Sequence, residues 1–498
     1  MLSYHYQAEP TTPQMTGFAG LLPYLDLACL LGLLEAVDIH VGIAGSQGWL
    51  DRQHVLALVL LNLAGGESMD DIRLLEADAG LCKLVQQAEQ HRLPRKERRA
   101  LERRFRKGRR RTFPSVPRLC EWLEQFHDPE QEAQRVAGAA FIPAPNAHLQ
   151  GLGKVNETLV AGVQRYAPAA EATLDIDATL QETRKREALF CYKGYRAYQP
   201  LQVYWAELGL LVYSQFRDGN VPAQYGILEA LQAALAGLPE GVEGIYVRMD
   251  SAGYQYEVLK FCATGDGGKR APLLFTISND MTPEFRAAVR QVPEGEWRPL
   301  ARRDGVPQEW AEVVYVPQEL ALSKTAPDYR FLAIRERVEQ GVLPGMTPGE
   351  QPELPFATET LAGVTYRLSG IVTNREEEGA ELIHWHHQRC GKSEEAHALL
   401  KTDLAGGRFP SGKFGANAAW WALVVLAFNL HAALRRLTLP GPLKPKRMKA
   451  LRFALIAVPG RVLERGRQLF VRLAGKHPAL EWLVEMRRKL QALAAAPA

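Results

Sequence analysis

The stretch Leu174–Leu180 reads LDIDATL, and its reading decides the fold. As a β-strand it would place Leu174, Ile176, Ala178 and Leu180 on one face and Asp175, Asp177 and Thr179 on the other, because side chains alternate across a strand. One face is then apolar enough to bury, while the opposite one holds two carboxylates. An edge strand with a wet face has this pattern, and so does a strand carrying acids used in chemistry.

The flanking sequence favours a sheet. Tyr198–Glu207 (YQPLQVYWAE) and Gly209–Arg217 (GLLVYSQFR) are β-rich runs that read as a hairpin. Asn220 and Pro222 open a helix with the apolar stripe Ile227, Leu228, Leu231 and Leu235, closed by Gly237. Gly244–Asp250 (GIYVRMD) is a further strand ending at an aspartate before a Ser-Ala-Gly turn. Strand, hairpin, helix and strand in that order predict an α/β layer.

Outward from this layer the period changes twice. Residues 1–150 read as amphipathic helices, with Leu27, Leu30, Leu31 and Leu34 on one stripe and Leu119, Trp122, Leu123 and Phe126 on another. Phe141–Lys154 has the Pro, Gly and Asn content of a linker. Residues 265–375 return to short apolar runs such as PLLFTIS and VTYRLSGIVT, a β-rich block between helical stretches. Gly265–Lys269 (GDGGK) lacks the spacing of a phosphate loop and reads as a boundary turn. Beyond it, SEEAHALLKTDL and NAAWWALVVLAFNLHAALRRL are helices, the second apolar almost all round and therefore buried.

Composition sets the class. With 498 residues and 47% hydrophobic content, the chain can bury the cores of several domains. The apolar run Ala418–Phe428 falls short of the roughly 20 residues of a membrane span, and the opening residues lack a signal-peptide pattern. A cytoplasmic protein without a membrane partner is expected. Six scattered cysteines with no CxxC pair suggest neither a disulfide framework nor a thiolate zinc site.

The net charge of +4 hides two basic blocks. Arg92–Arg111 carries twelve Lys/Arg against two Glu, and Arg435–Lys489 fifteen against three. Such blocks are solvated faces or nucleic-acid contacts. Arg98, Arg99, Arg103, Arg104, Arg106, Lys107, Arg109, Arg110 and Arg111 are the candidate DNA-binding side chains of the first.

Asp177, Asp250 and Glu394, if they converge at one sheet edge, suit Mg²⁺, which is held by carboxylates, water and substrate phosphate oxygens. Two such ions about 3.5–4 Å apart drive in-line displacement at phosphorus. Each acid also has a plain reading: a wet edge strand for Asp175 and Asp177, a helix cap for Asp250, and a first-turn acid behind Ser393 for Glu394.

The order DIDAT, VRMDSAG, a β-rich insertion, then Arg, Glu and Lys on a helix resembles the DDE transposases of bacterial insertion sequences, in the branch numbered thirteen-eighty. Phe414–Asn417, an F-x-x-N ahead of an apolar helix with a second Asn, is similar too. The resemblance covers about residues 170–435. It implies an RNase H-like catalytic domain (165–264 and 376–435) interrupted by the insertion (265–375). A helical DNA-binding region (1–150) would precede it and a basic helical C-terminal region (436–498) follow. It implies Asp177 as first acid with Asp175 in reserve, Asp250 as second and Glu394 as third, acting as catalytic residues and ligands of two Mg²⁺ ions for which Mn²⁺ can substitute.

The related signature spaces Tyr, two residues, Arg, three residues, Glu, six residues, Lys. Here His386 takes the Tyr position, four residues separate Arg389 from Glu394, and six separate Glu394 from Lys401. One extra residue rotates Arg389 by about 100° on a continuous helix unless Cys390 and Gly391 break it. Lys401 and Arg389 are the implied DNA contacts. The expected activity is binding of terminal inverted repeats in double-stranded DNA, strand cleavage and strand transfer by a homodimer. A transposase-derived DNA-binding protein without cleavage is the alternative. A zinc site at His384, His386, His387 and His397 lacks the i, i+4 histidine pair, and glycoside hydrolysis by paired acids leaves the basic blocks without a job.

Overall fold

The computed structural model describes residues 14–43, 48–107, 111–265, 273–301, 307–317, 328–338, 358–361, 363–466 and 468–496, without the side chains of 102–107 and of 392 and 393. The expected turn at GDGGK lies almost wholly outside them.

Among the described residues a two-residue strand β1 (Met15–Thr16) leads into nine α-helices: α1 (Leu22–Leu30), α2 (Leu33–His40), α3 (Asp51–Ala64), α4 (Ile72–Ala77), α5 (Ala79–Glu89), α6 (Arg95–Lys107), α7 (Val116–Glu124), α8 (Pro129–Ala133) and α9 (Ala147–Tyr166). The predicted linker 141–154 is therefore half helix. Asn146 caps it, its side-chain oxygen accepting from Leu149 N at 3.0 Å. Gly151 is there for packing: a Cβ would lie 2.1 Å from the His40 carbonyl oxygen, so its absence lets α9 close on the end of α2.

The sheet begins with β2 (Glu171–Ala178), which contains both aspartates of LDIDATL. A short ladder of β3 (Gln181–Glu182) with β4 (Ala197–Tyr198) follows, then the hairpin β5 (Leu201–Trp205) and β6 (Leu210–Gln215), helix α10 (Ile227–Ala236), β7 (Gly244–Met249), α11 (Tyr256–Thr264) and β8 (Leu274–Ser278). β2 pairs antiparallel with β5 and parallel with β7, and β7 pairs parallel with β8.

Helix α12 (Pro283–Arg290) is followed by β9 (Arg298–Leu300), β10 (Gln308–Val313), β11 (Arg330–Arg337), β12 (Thr358–Leu361) and β13 (Val364–Thr373). These strands continue the same sheet, because Ile371–Thr373 of β13 pair antiparallel with Thr276–Ser278 of β8. The order across it is β6-β5-β2-β7-β8-β13-β11-β10-β9, with β12 on β13.

Helices α13 (Gly379–His387) and α14 (Arg389–Ala398) come next, then a π-helical turn Leu399–Asp403 and the long α15 (Phe414–Leu437). By length and composition α15 qualifies to cross a membrane, but most of it is buried inside the protein. Its two asparagines are both used there. Asn429 Nδ2 donates to Asn156 Oδ1 at 2.7 Å and to the Leu211 carbonyl at 2.8 Å, and Asn429 Oδ1 accepts from Leu211 N at 2.8 Å. Leu211 lies on β6, the outermost strand, so this asparagine satisfies backbone groups that a sheet edge leaves open. Asn417, last residue of the F-x-x-N run, bonds the Ser411 backbone through both side-chain atoms and reaches the Tyr198 hydroxyl at 3.2 Å.

After α16 (Met448–Leu451) the expected helical C-terminal region instead forms a hairpin, β14 (Gly460–Arg465) and β15 (Gln468–Arg472), which adds β1 as a third strand. The alternation of GRVLER and QLFVR around Gly466, whose φ is 57°, is a hairpin pattern that the basic composition masked. Among the described residues of that region only α17 (Ala479–Ala495) is a long helix. Helix α15 packs on α1, α3, α7 and α9 as well as on β6, so one apolar core runs from the N-terminal helices to the sheet.

Candidate active site

The two aspartates of LDIDATL have separate lives. Asp175 is buried, and its carboxylate grips Arg248 of β7 through two bonds, Oδ1 to Nε at 2.6 Å and Oδ2 to Nη2 at 2.8 Å. Arg248 donates further to the Trp385 carbonyl at 2.7 Å and lies 4.7 Å from that ring's centroid. Burial pushes the Asp175 pKa up, against the lowering by Arg248. Its oxygens are taken up by a bond between strand β2, strand β7 and helix α13.

Asp177, two residues on, sits where β2 runs out into a cleft. Parallel pairing puts Ile176 opposite Met249, so Asp177 and Asp250 leave the ends of adjacent strands side by side, at a strand spacing of about 4.8 Å. Both line a cleft of about 640 Å³, with Tyr192, Asn220, Gln255 and Asp280. One Asp250 oxygen caps the turn that ends β7, accepting from Ala252 N at 3.0 Å. Asp177 Oδ1 accepts from Ala178 N at 2.9 Å. Asp280, just past β8, is a carboxylate that the sequence reading passed over, although it follows an apolar strand as Asp250 does.

Glu394 is not in the cleft lining; it lies on the exposed side of α14. The helix itself is docked over β2. His397, one turn on from Glu394, meets Thr179 Oγ1 at 2.5 Å and stands 3.8 Å from Asp177 Oδ2. Burial lowers the His397 pKa to about 4, with Glu394 pulling it upward and Arg389 downward. The extra residue ahead of Glu394 is absorbed as the sequence allowed: Cys390 (ψ 131°) and Gly391 (φ 93°) break the helix. Arg389 Nε is buried there without a hydrogen-bond partner among the described residues, and Arg389 acts electrostatically on Asp175, His386 and His397. Lys401 is exposed on the π-helical turn.

The remaining histidines do not gather. His386 is buried between the Thr276 and Ser278 hydroxyls at 2.8 and 3.0 Å, and burial holds its pKa well below 6.5. Among the described residues no three His, Cys, Asp or Glu side chains form a group arranged to hold a metal ion. Asp177 and Asp250 do fit the ordinary Mg²⁺ pattern of one or two carboxylates completed by water and phosphate oxygens.

Of the basic block, Arg98 and Arg99 are exposed on α6 and Leu101 anchors that helix in the core. Arg111 is half-buried, its Nε donating to the Phe113 carbonyl at 3.3 Å. Arg109 and Arg110, and the side chains of Arg103, Arg104, Arg106 and Lys107, lie outside the described residues.

The mixed sheet thus brings two acids to neighbouring strand ends at one cleft. The chain belongs to the family of transposases with a DDE domain of group 1, whose family model matches residues 51–298 and 357–495. Among solved structures it is similar to a piggyBac transposase in a synaptic complex with hairpin DNA, determined by cryo-EM. That similarity is 9% identity over 96% of this chain and 82% of the other, at a TM-score of 0.41. No curated protein matches the chain.

Proposed function

We propose that the protein is a cut-and-paste transposase of a bacterial insertion sequence, of the branch numbered thirteen-eighty, working on DNA in the cytoplasm. One observation carries this beyond family membership: Asp177 and Asp250 stand side by side at the ends of adjacent parallel strands and line one cleft of about 640 Å³. The order β6-β5-β2-β7-β8, with β5 antiparallel to both its neighbours, supports an RNase H-like core that takes in β8, a strand expected in the 265–375 insertion, and leaves β9–β13 as the inserted part.

In this reading Asp177 and Asp250 hold Mg²⁺, or Mn²⁺ in its place, with Glu394 as the third acid. The bound metal supplies a water or 3′-hydroxyl made nucleophilic and a positive charge against the leaving oxygen. The chain's own groups do the positioning. Arg248 and Asp175 tie β2 to β7, which fixes the spacing of the two acids. His397 holds the Glu394 helix against Thr179. Lys401, Arg389, the α6 arginines and the C-terminal basic region contact phosphates, so affinity falls steeply with salt. Two element ends need two such sites, hence a homodimer on double-stranded DNA.

The test is Mg²⁺-dependent cleavage of the element's end by the purified protein and its Asp177→Asn, Asp250→Asn, Glu394→Gln and Asp280→Asn variants. Loss in the first three with activity kept in Asp280→Asn supports the assignment. Because Asp280 lines the cleft and Glu394 does not, the reverse pattern would make Asp280 the third acid. DNA binding without cleavage by the parent protein would establish the alternative, a transposase-derived DNA-binding protein.

A further inference from the structure

The loop between β3 and β4, residues 183–196, reads TRKREALFCYKGYR, with five Lys/Arg and one Glu. It is a built hairpin, anchored at both ends. Phe190 bridges to Arg196, Cys191 N donates to the Tyr195 carbonyl at 2.9 Å, and Gly194 (φ 81°) makes the tip turn. Ala188 and Cys191 are buried beneath it, Arg135 Nη2 holds the Glu187 carbonyl at 3.0 Å, and Leu189 N donates to Asp218 Oδ1 at 3.3 Å.

This anchored hairpin presents aromatic rings to solvent. Phe190 is 56% and Tyr192 80% exposed. Arg196 lies 4.5 Å from the Phe190 ring centroid and Lys193 5.7 Å from that of Tyr192. Tyr192 also lines the cleft that holds Asp177 and Asp250. Exposed rings on an anchored hairpin, each with a cation over one face, match the surface on which unpaired bases stack while their phosphates meet Lys and Arg. A base inside a duplex offers only its edges, so the ring faces have no use for paired DNA.

We propose that residues 183–196 form a stacking platform for unpaired nucleotides of the DNA strand whose phosphate enters the cleft, with Tyr192 and Phe190 as the stacking rings. The proposal rests on the transposase reading above and adds a single-strand contact to it.

The experiment measures binding, not cleavage, in an Asp250→Asn background. Fluorescence anisotropy at low salt compares a blunt oligonucleotide duplex, the same duplex with a short single-stranded extension, and the extension alone. Tyr192→Ala and Phe190→Ala should each weaken binding of the extended probe and the single strand by about 5- to 150-fold. Blunt-duplex binding should stay within about twofold, and Tyr192→Trp should restore the loss, because every aromatic face stacks. A 2-aminopurine in the extension should be quenched by the parent and not by Tyr192→Ala. Equal weakening on all three probes, or none, overturns the platform and leaves the transposase reading standing. A parent protein that binds none of the probes overturns both.

Discussion

Replacing Arg248 with Met tests the division of labour between Asp175 and Asp177. Arg248→Met removes the guanidinium that makes both bonds to Asp175, leaving a buried carboxylate with its charge uncompensated. Breaking one partner of a buried ion pair costs about 3–5 kcal/mol, whereas replacing both by apolar groups of similar size is close to neutral. The loss should therefore be about 3–5 kcal/mol for Arg248→Met and much smaller for Arg248→Met with Asp175→Leu, read as unfolding midpoints in urea at pH 7. Burial already pushes the Asp175 pKa up, and losing Arg248 raises it further, so the destabilisation of Arg248→Met should shrink as pH falls and Asp175 protonates. Asp177→Asn should leave the midpoint within about 0.5 kcal/mol of the parent, as for a substitution outside the core, and abolish cleavage. A single variant within about 1 kcal/mol of the parent, or a double variant as unstable as the single, would refute the buried-clamp account.

Gly151→Ala should destabilise by about 1–3 kcal/mol in urea unfolding, since the added methyl meets the backbone oxygen of His40 and not a side chain that can swing away. Burial holds His431 down to a pKa of about 3, so it is neutral in the fold and protonates on unfolding below pH 6.5. Its contribution is complete above pH 6.5 and lost as pH falls towards 3, about 3 kcal/mol by pH 4; His431→Gln should flatten the stability curve over that range by up to one proton. Removing the exposed Arg95 and Arg98 together should lower the slope of log affinity against log salt for duplex DNA by up to about 2, measured by anisotropy titrations from 50 to 200 mM salt.

The part of the sheet around LDIDATL was legible because its period-two and period-3.6 patterns are clean: β2, the β5–β6 hairpin, α10 and β7 all lie where alternation and the apolar stripe put them. Which of two alternating aspartates faces the cleft was not legible. Asp175 and Asp177 share a face of the strand, and only the position of Arg248 on the neighbouring strand separates them. Partners far away in sequence hid other features. Asn429 reads as a blemish in an apolar helix until Leu211 is beside it, and Asn146 as loop composition until it caps α9. The β-rich block read as a separate unit because its strands are short, yet its own first strand, β8, pairs parallel with β7 and welds it to the sheet. Glu394 was placed on its helix by spacing, and spacing says nothing about how far that helix stands from the cleft.

The burial of α15 against α1, α3, α7 and α9 has a consequence for how the protein is made. Helix α3 ends at Ala64 and α15 starts at Phe414, so 349 residues separate them. At about 5–20 residues per second, the first helices leave the ribosome roughly 20–70 s before the helix that covers them. For that time their leucine-rich faces are open to chaperones or to one another. Fragments ending before Phe414 should accumulate as aggregates, and slowing synthesis within the first 400 codons should lower the soluble yield more than slowing it after Leu437.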